Sequence, residues 1–242
     1  ITLPKPTELK TGLIVLISLF AMFQPLALDP YLPSIATIAK DFGVDGSVIQ
    51  LSLTAFTLGV AAGTLVAGPL SDSIGRRRPL IAAVAGYSLA GLLVAFAPSI
   101  PVFFSGRVLQ GFFASSLLVV ASAMLRDLYT ERTLVRAMGR SLLVQASSWI
   151  LGPFLGAAVV LYSDWRKLSV LLAIGGATLL IVAALKVPDT MLTANRHRTN
   201  VAELLKRFGS VFRDRQFNGL VLVQLGRQAE AGPSMRPRPV PS

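Results

Sequence analysis

The fold of this chain is decided by the stretch GPLSDSIGRRRP at residues 68–79. This charged turn joins two long apolar runs, 48–70 and 80–97. A helical apolar run of about 20 residues matches the hydrocarbon thickness of a bilayer. Three consecutive arginines next to such a run are typical of the cytoplasmic side of a membrane. The stretch therefore predicts a membrane hairpin whose turn lies in the cytoplasm.

The composition of the chain favours a membrane protein over other classes. Of its 242 residues, 53% are hydrophobic and only 14% are charged, whereas a soluble domain carries about 25% charged residues. The formal net charge is +11, but the arginines lie between the apolar runs and no nucleic-acid-binding module is recognisable. We therefore expect a lipid bilayer as partner and no nucleic acid.

Neither a metal centre nor an enzyme is predicted. The chain has no cysteine and a single histidine, His197, which lies in a polar loop. No Ser/His/Asp or Cys/His set, phosphate loop or metal cluster is recognisable. We therefore expect no catalytic residue, no metal and no cofactor.

We predict an all-α membrane protein with six spans, because lipid-exposed backbone must satisfy its own hydrogen bonds. The spans lie at roughly 12–39, 48–70, 80–97, 100–124, 138–162 and 168–187. The predicted domains are an N-terminal segment 1–11, a six-helix bundle 12–187, a loop 188–216 with a short amphipathic helix at 201–212, the start of a seventh helix at 217–226 and a disordered tail 227–242. Since the seventh apolar run is too short to span, we expect this chain to be half of a larger protein.

Basic residues predict the orientation of the bundle. Sixteen lysines and arginines lie in the segments at one end of the spans, in 5–10, 76–78, 126–140 and 186–215. At the other end lie only Lys40, Arg166 and Lys167. The positive-inside rule then puts the N-terminus and the loop 188–216 in the cytoplasm.

Five short motifs resemble those of the major facilitator superfamily. The turn 68–79 resembles the signature between its second and third helices, RVLQG at 107–111 that of its fourth helix, and GPFLG at 152–156 the helix-5 motif of its antiporters. Ser73 and Ala157 depart from the usual residues of two of these motifs. LDPYLP at 28–33 and LRDLY at 125–129 narrow the resemblance to the Bcr/CflA multidrug resistance transporters.

The resemblance implies a proton-coupled secondary transporter, a drug:H+ antiporter that exports amphipathic organic compounds across the cell inner membrane. Its partners would be protons and a small drug-like molecule. The family has twelve spans in two halves, so a missing C-terminal half or a second copy would be needed for a complete cavity. Two alternatives stay open: a transporter of another small molecule, such as a metabolite or sugar, and a truncated membrane fragment that does not transport.

Asp29 and Arg107 are the candidate proton-coupling residues. An ionisable group inside a span is costly and usually faces the bundle interior for a functional reason. The two lie at similar depths in the first and fourth spans, so they could face each other. The alternatives are that Asp29 caps a proline-broken helix, and that Arg107 forms a structural ion pair or bonds backbone carbonyls.

The turn 68–79 is the candidate gate. The resemblance implies that Asp72 and Arg76 contact Asp127 at the inner end of the fourth span. Glycine permits close helix approach and tight turns. The gating set is Gly68, Asp72, Gly75, Arg76, Arg77 and Asp127. The alternative is an arginine cluster that fixes topology and binds anionic lipid.

Amides and aromatic rings among apolar side chains suit an amphipathic substrate. The candidate cavity residues are Gln24, Tyr31, Gln50, Gln110, Gln145 and Trp149. The alternative is that the glutamines bond a neighbouring helix. In the antiporter motif, Gly152 and Pro153 are expected to bend the fifth span, and Gly156 to admit a close neighbour.

Overall fold

The structure, a computed structural model, describes residues 11–187 and residue 190. The predictions for the N-terminal segment, the amphipathic helix 201–212, the seventh helix and the tail lie outside these residues. Everything stated below concerns the described part of the chain.

Six helical segments in the described residues are long and apolar enough to cross a membrane. The first span covers Thr11–Phe42; the others are the helices Gly46–Ile74, Arg77–Ala95, Ile100–Leu128, Glu131–Tyr162 and Trp165–Lys186. All regular structure in this part of the chain is helical. The predicted fold class, a six-span all-α membrane bundle, is confirmed.

The first span is broken, which corrects the single helix expected at 12–39. It consists of the helices Thr11–Ala21 and Phe23–Leu26, a 3-10 helix Asp29–Ser34, and the helix Ile35–Phe42. Pro25, Pro30 and Pro33 lie in or beside the irregular part. Proline lacks the backbone N–H that a helix needs and clashes with the preceding turn. The break frees backbone carbonyl groups inside the bundle.

The fifth span begins at Glu131, seven residues before the predicted start at 138. A capping box between Thr130 and Thr133 starts this helix, and the first turns carry the exposed residues Arg132, Arg136 and Arg140. The apolar pattern fails to find this start because a charged helical turn can project beyond the hydrocarbon. We call this end of the bundle the arginine-rich end; it also contains residues 74–77 and Lys186.

The second and fourth spans pack closely through glycines. A Cβ atom added at Gly59 or Gly63 would overlap the backbone of the fourth span at Val108 or Phe112, and one at Gly111 would overlap the backbone of Phe56. Small residues allow such close approach of membrane helices. Gly68 was expected to serve the same purpose and does not, since a Cβ there would lie 3.9 Å from Val119 Cγ1, an ordinary contact.

The third and sixth spans are antiparallel helices with arginine contacts at both ends. At the arginine-rich end, Arg77 of the third span donates from Nη2 to the carbonyl of Ala184, 2.6 Å away. At the opposite end, Arg166 of the sixth span donates from Nη1 to the carbonyls of Ala95 and Ala97, at 2.8 and 3.2 Å. Each helix thus places a cation on the C-terminal carbonyls of the other, where the helix dipole is negative.

The Arg166 contact extends to the first span. Its Nη2 lies 2.9 Å from Asp41 Oδ2, which also accepts from Trp165 Nε1 at 3.3 Å. The first, third and sixth spans are therefore joined at the end opposite the arginine-rich one. This cluster is not predicted from the sequence, although Arg166 belongs to the few basic residues at that end.

Candidate functional site

Arg107 lies at the centre of a buried polar cluster. Its side chain is completely buried, and its Nη1 donates to the carbonyl of Ala27 at 2.8 Å and to Gln110 Oε1 at 2.7 Å. Its Cζ lies 4.2 Å from the Tyr31 ring centroid and 4.8 Å from that of Phe56. The Ala27 carbonyl is available because the first span breaks directly after it. The guanidinium is therefore held by the irregular part of the first span and by two aromatic faces.

The cluster keeps unused hydrogen-bonding capacity. The Tyr31 hydroxyl shares a hydrogen bond with Ser169 Oγ of the sixth span. Within the described residues, Arg107 Nε and Nη2, Gln110 Nε2 and the Tyr87 hydroxyl have no hydrogen-bond partner. Most buried polar atoms in proteins are bonded. Four such polar atoms on three neighbouring side chains mark this as a place where hydrogen bonds can change.

Asp29 lies two residues after Ala27, at the start of the 3-10 helix, and is partly buried. No ion pair between the described residues joins Asp29 to Arg107. The Asp29 Cβ instead lies 3.2 Å from the position of a Cβ added at Gly152 in the fifth span. Asp29 and Arg107 are thus connected through the broken segment of the first span and not through direct contact.

The antiporter motif of the fifth span lies against this same segment. A Cβ added at Gly156 would overlap the backbone of Pro30, so the two spans touch through main-chain atoms. The fifth-span helix continues through Pro153. The close neighbour expected at Gly156 is therefore the broken part of the first span.

The six candidate cavity residues have different environments. Tyr31 and Gln110 are buried inside the bundle, at 2% and 0% exposure, whereas Trp149 is 56% exposed. Gln50 is also exposed, and Gln24 is partly buried. Gln145 donates to Ser141 Oγ and to the Ser141 carbonyl, at 3.3 and 3.4 Å, within its own helix. Tyr31 and Gln110 meet around Arg107, and the role of the six in a cavity stays a prediction.

The gate residues form an ion cluster at the arginine-rich end. Arg76 Nε lies 2.8 Å from Asp127 Oδ2, and its Nη1 lies 2.5 Å from Asp72 Oδ1. Gly75 has a φ of 92°, which glycine adopts without strain. The structure brings Asp72, Arg76 and Asp127 together; their gating role stays a prediction.

Two partners of this cluster were missed from sequence. Ser71 Oγ accepts from Arg76 Nη1 at 2.7 Å, and Thr190 Oγ1 lies 3.3 Å from Asp127 Oδ2. A cavity of about 400 Å³ beside the cluster is lined in part by Gly68 and Arg126. Neither hydroxyl had a sequence signal, because serine and threonine are common at helix ends.

The two carboxylates hold Arg76 in its charged form. Burial by itself would lower the pKa of Arg76, but hydrogen bonds and charge attraction from Asp127 and Asp72 outweigh it and raise the pKa above its usual value. The guanidinium is therefore charged at every physiological pH. Arg77 does not join this cluster, since it contacts Ala184 of the sixth span.

No group of three or more histidine, cysteine, aspartate or glutamate side chains able to hold a metal occurs among residues 11–187 and 190. The site consists of a buried arginine, a partly buried carboxylate and amide and hydroxyl groups inside a membrane bundle. Such groups can bind and exchange protons and polar parts of a ligand.

A family profile described as the Major Facilitator Superfamily matches residues 14–228. The chain belongs to this superfamily. The membership predicted from the motifs is therefore confirmed, and the chain is a multi-pass membrane protein of a transporter family.

Relatives by sequence support the narrower resemblance to drug-resistance members. Over 215 residues the chain is 35% identical to "Uncharacterized MFS-type transporter YdgK" of Bacillus subtilis (strain 168), covering 88% of this chain and 54% of the relative. It is 28% identical over 206 residues to "Bicyclomycin resistance protein homolog" of Haemophilus influenzae, covering 85% and 52%. With "Chloramphenicol resistance protein" of Pseudomonas aeruginosa it shares 34% identity, covering 67% and 39%. The chain thus spans about half the length, or less, of these relatives.

Solved structures agree on the fold. The human organic anion transporter MFSD10 (TETRAN) matches with a TM-score of 0.62 at 18% identity, over 79% of this chain and 51% of that one. A peptide transporter POT in complex with sulfate matches with a TM-score of 0.67 at 15% identity, over 97% and 50%. At these identities the likeness concerns the fold alone.

Proposed function

We propose that the six spans form one half of a drug:H+ antiporter, a proton-coupled exporter of amphipathic organic compounds. The observation that carries this proposal is the position of Asp29, a carboxylate inside a membrane span, at the start of the 3-10 helix that interrupts the α-helix of that span. Ionisable groups within spans are rare because they are costly, and they mark ion and proton paths.

Arg107 would couple the protonation of Asp29 to movement of the first span. It binds the Ala27 carbonyl, two residues before Asp29, and retains the free donors Nε and Nη2. A change in the charge of Asp29 alters its attraction to a cation nearby, and the broken segment can respond because few helical hydrogen bonds hold it. Protonation and movement of the first span would then be linked.

The substrate class is inferred from the relatives and from the exposed face of the bundle. Two of the similar proteins are named for bicyclomycin and chloramphenicol resistance. The fifth span exposes a broad apolar face around Trp149, with Ile150, Leu151 and Phe154 each more than half exposed. Aromatic and aliphatic walls of this kind suit amphipathic organic molecules better than sugars.

The proposal includes an orientation and a second six-helix unit. The excess of lysine and arginine at the arginine-rich end favours a cytoplasmic position for that end and for its ion cluster. Transporters of this type bind substrate between two such units and alternate their access. Because the chain covers only 54% and 52% of the first two relatives, we expect this second unit in the working transporter, either as a C-terminal half or as a second copy.

The test is ethidium accumulation in energised cells that lack their own exporters. The cells carry either this chain or this chain completed with a homologous C-terminal half, each with and without Asp29→Asn. We expect the completed protein to lower accumulation severalfold and Asp29→Asn to abolish the effect, because asparagine cannot carry a proton.

Two results would contradict the proposal. Export by the completed protein that persists with Asp29→Asn would remove the carboxylate from the mechanism. Transport of a metabolite or sugar by a completed protein that exports no drug would favour the other substrate class.

A further inference from the structure

The two glycines of the antiporter motif lie against the start of the 3-10 helix in the first span. A Cβ added at Gly152 would lie 3.2 Å from Asp29 Cβ, 3.5 Å from Pro30 Cδ and 3.6 Å from Pro30 Cγ. One added at Gly156, four residues later on the same helix face, would overlap the carbonyl and Cα of Pro30. The fifth span therefore presents a smooth glycine surface that receives Asp29 and Pro30.

Another glycine of the same helix shows that this contact is local. A Cβ at Gly139 would meet no atom within 4 Å. The fifth span thus has room for a side chain elsewhere and lacks it opposite Asp29. A glycine in a helix interior costs up to about 1 kcal/mol relative to alanine, so close contact is the physical reason for glycine at these two positions.

We propose that Gly152 and Gly156 are positioning residues. By packing closely against the broken segment of the first span, they fix the position of the Asp29 carboxylate. This inference rests on the proposed function in so far as Asp29 carries the proton. The two glycines act through Asp29 and Pro30 and need touch no substrate.

The position of the broken segment determines the surroundings of the Asp29 carboxylate. Tyr31 lies on the same segment, and Arg107 of the fourth span is connected to that segment through the Ala27 carbonyl and the Tyr31 ring. The fifth span has no titratable residue between Arg140 and Tyr162, and the sixth has none between Lys167 and Lys186. A small displacement of Asp29 from the glycine surface therefore changes its distance from Arg107 and its exposure together.

The test measures the proton affinity of Asp29 without any transport. The purified chain is treated with a hydrophobic carbodiimide, which reacts with protonated carboxyl groups, and the adduct on the Asp29 peptide is quantified by mass spectrometry across pH. Each variant is normalised to its own plateau, and Asp29→Asn supplies the blank. Gly152→Ala is the test variant, and Gly139→Ala is the matched control in the same helix.

We expect Gly152→Ala to displace the midpoint of the labelling curve by about half a pH unit or more, and Gly139→Ala to leave it in place. A purely structural role of Gly152 would lower the yield of folded protein and leave the normalised curve unchanged, which would overturn the proposal. Where Gly152→Ala gives no folded protein, Pro30→Ala removes the ring atoms from the other side of the contact and is expected to displace the curve as well.

The outcome separates this inference from the proposed function. A displaced curve together with no export by the completed protein would keep the positioning role and refute the antiporter. Drug export that depends on Asp29, together with superimposed curves for Gly152→Ala and Pro30→Ala, would keep the antiporter and refute the positioning role.

Discussion

The first and fifth spans meet in a different way from the third and sixth. In the third–sixth interface, two uninterrupted helices pack through small residues, with Gly91 against Ala173 and Gly176 against Ser88. An arginine of each helix closes the C-terminal end of the other. In the first–fifth interface, a regular helix faces a broken segment, two glycines of the regular helix lie directly against that segment, and Arg140 donates to Thr11 Oγ1 at 2.8 Å near the arginine-rich end.

The third–sixth interface therefore has a structural role, whereas the first–fifth interface carries part of the candidate site. Helices tied at both ends by charge-assisted hydrogen bonds to carbonyls resist relative movement. A 3-10 segment with three nearby prolines has few internal hydrogen bonds and takes its position from its surroundings. Asp29, the proposed protonation site, lies on the second kind of element.

The largest effect is expected from Arg107→Ala. The substitution leaves the buried Ala27 carbonyl and Gln110 Oε1 without their donor and opens a cavity between Tyr31 and Phe56. We expect a loss of about 2–4 kcal/mol of unfolding free energy and the disappearance of drug-dependent proton release in the completed transporter. Size-exclusion chromatography after heating and a pH-sensitive dye measure the two quantities.

A conservative substitution separates the contribution of the Arg107 charge from that of its guanidinium geometry. Arg107→Lys keeps the charge but lacks the planar fork that reaches two acceptors, so it should recover part of the stability and little of the coupling. Normal proton release by Arg107→Ala in a folded protein would show that the free donors of the cluster have no part in transport.

The sequence predicts the spans much better than the arrangement of the candidate site around Asp29 and Arg107. The six apolar runs predict the spans, and the resemblance of five short motifs to the superfamily predicts the membership and the Arg76 cluster. The break in the first span is visible only as prolines, which membrane helices often tolerate. The contact of Gly152 with Asp29 depends on the rotation of two helices about their axes, which one sequence does not determine. For the same reason Tyr31 and Gln110 could be placed on the first and fourth spans but not inside the bundle.

A smaller effect is expected from Arg166→Ala, which opens the third–sixth interface at the end opposite the arginine-rich one. The guanidinium bonds two carbonyls and one carboxylate and is partly buried. Its removal should cost about 1–2 kcal/mol of unfolding free energy, seen as earlier loss of the monodisperse peak on heating. Lys167→Ala is the matched control, because Lys167 is exposed and its change should stay within about 0.5 kcal/mol.

Asp41→Asn tells the two kinds of contact apart. It removes the ion pair with Arg166 and leaves the carbonyl hydrogen bonds, so it should cost less than Arg166→Ala, since exposed ion pairs contribute little. Equal losses for the two variants would mean that the link to the first span, and not the closing of the third span, stabilises this end.

The smallest effect is expected from Arg77→Ala at the arginine-rich end of the same interface. Arg77 bonds the single carbonyl of Ala184 and is exposed, so water competes for both groups and the loss should be about 0.5 kcal/mol. Arg78→Ala is the control: Arg78 is equally exposed and equally close to the start of the third span, so the unfavourable placement of a cation at a helix N-terminus cancels in the comparison. A heat stability lower for Arg77→Ala than for Arg78→Ala, with the difference reduced in high salt, would confirm the contact with Ala184. Identical heat stability of the two variants would mean that the Arg77 hydrogen bond does not stabilise the third–sixth interface. The difference between this interface and the first–fifth interface would then depend on Arg166 and on the packing of small residues.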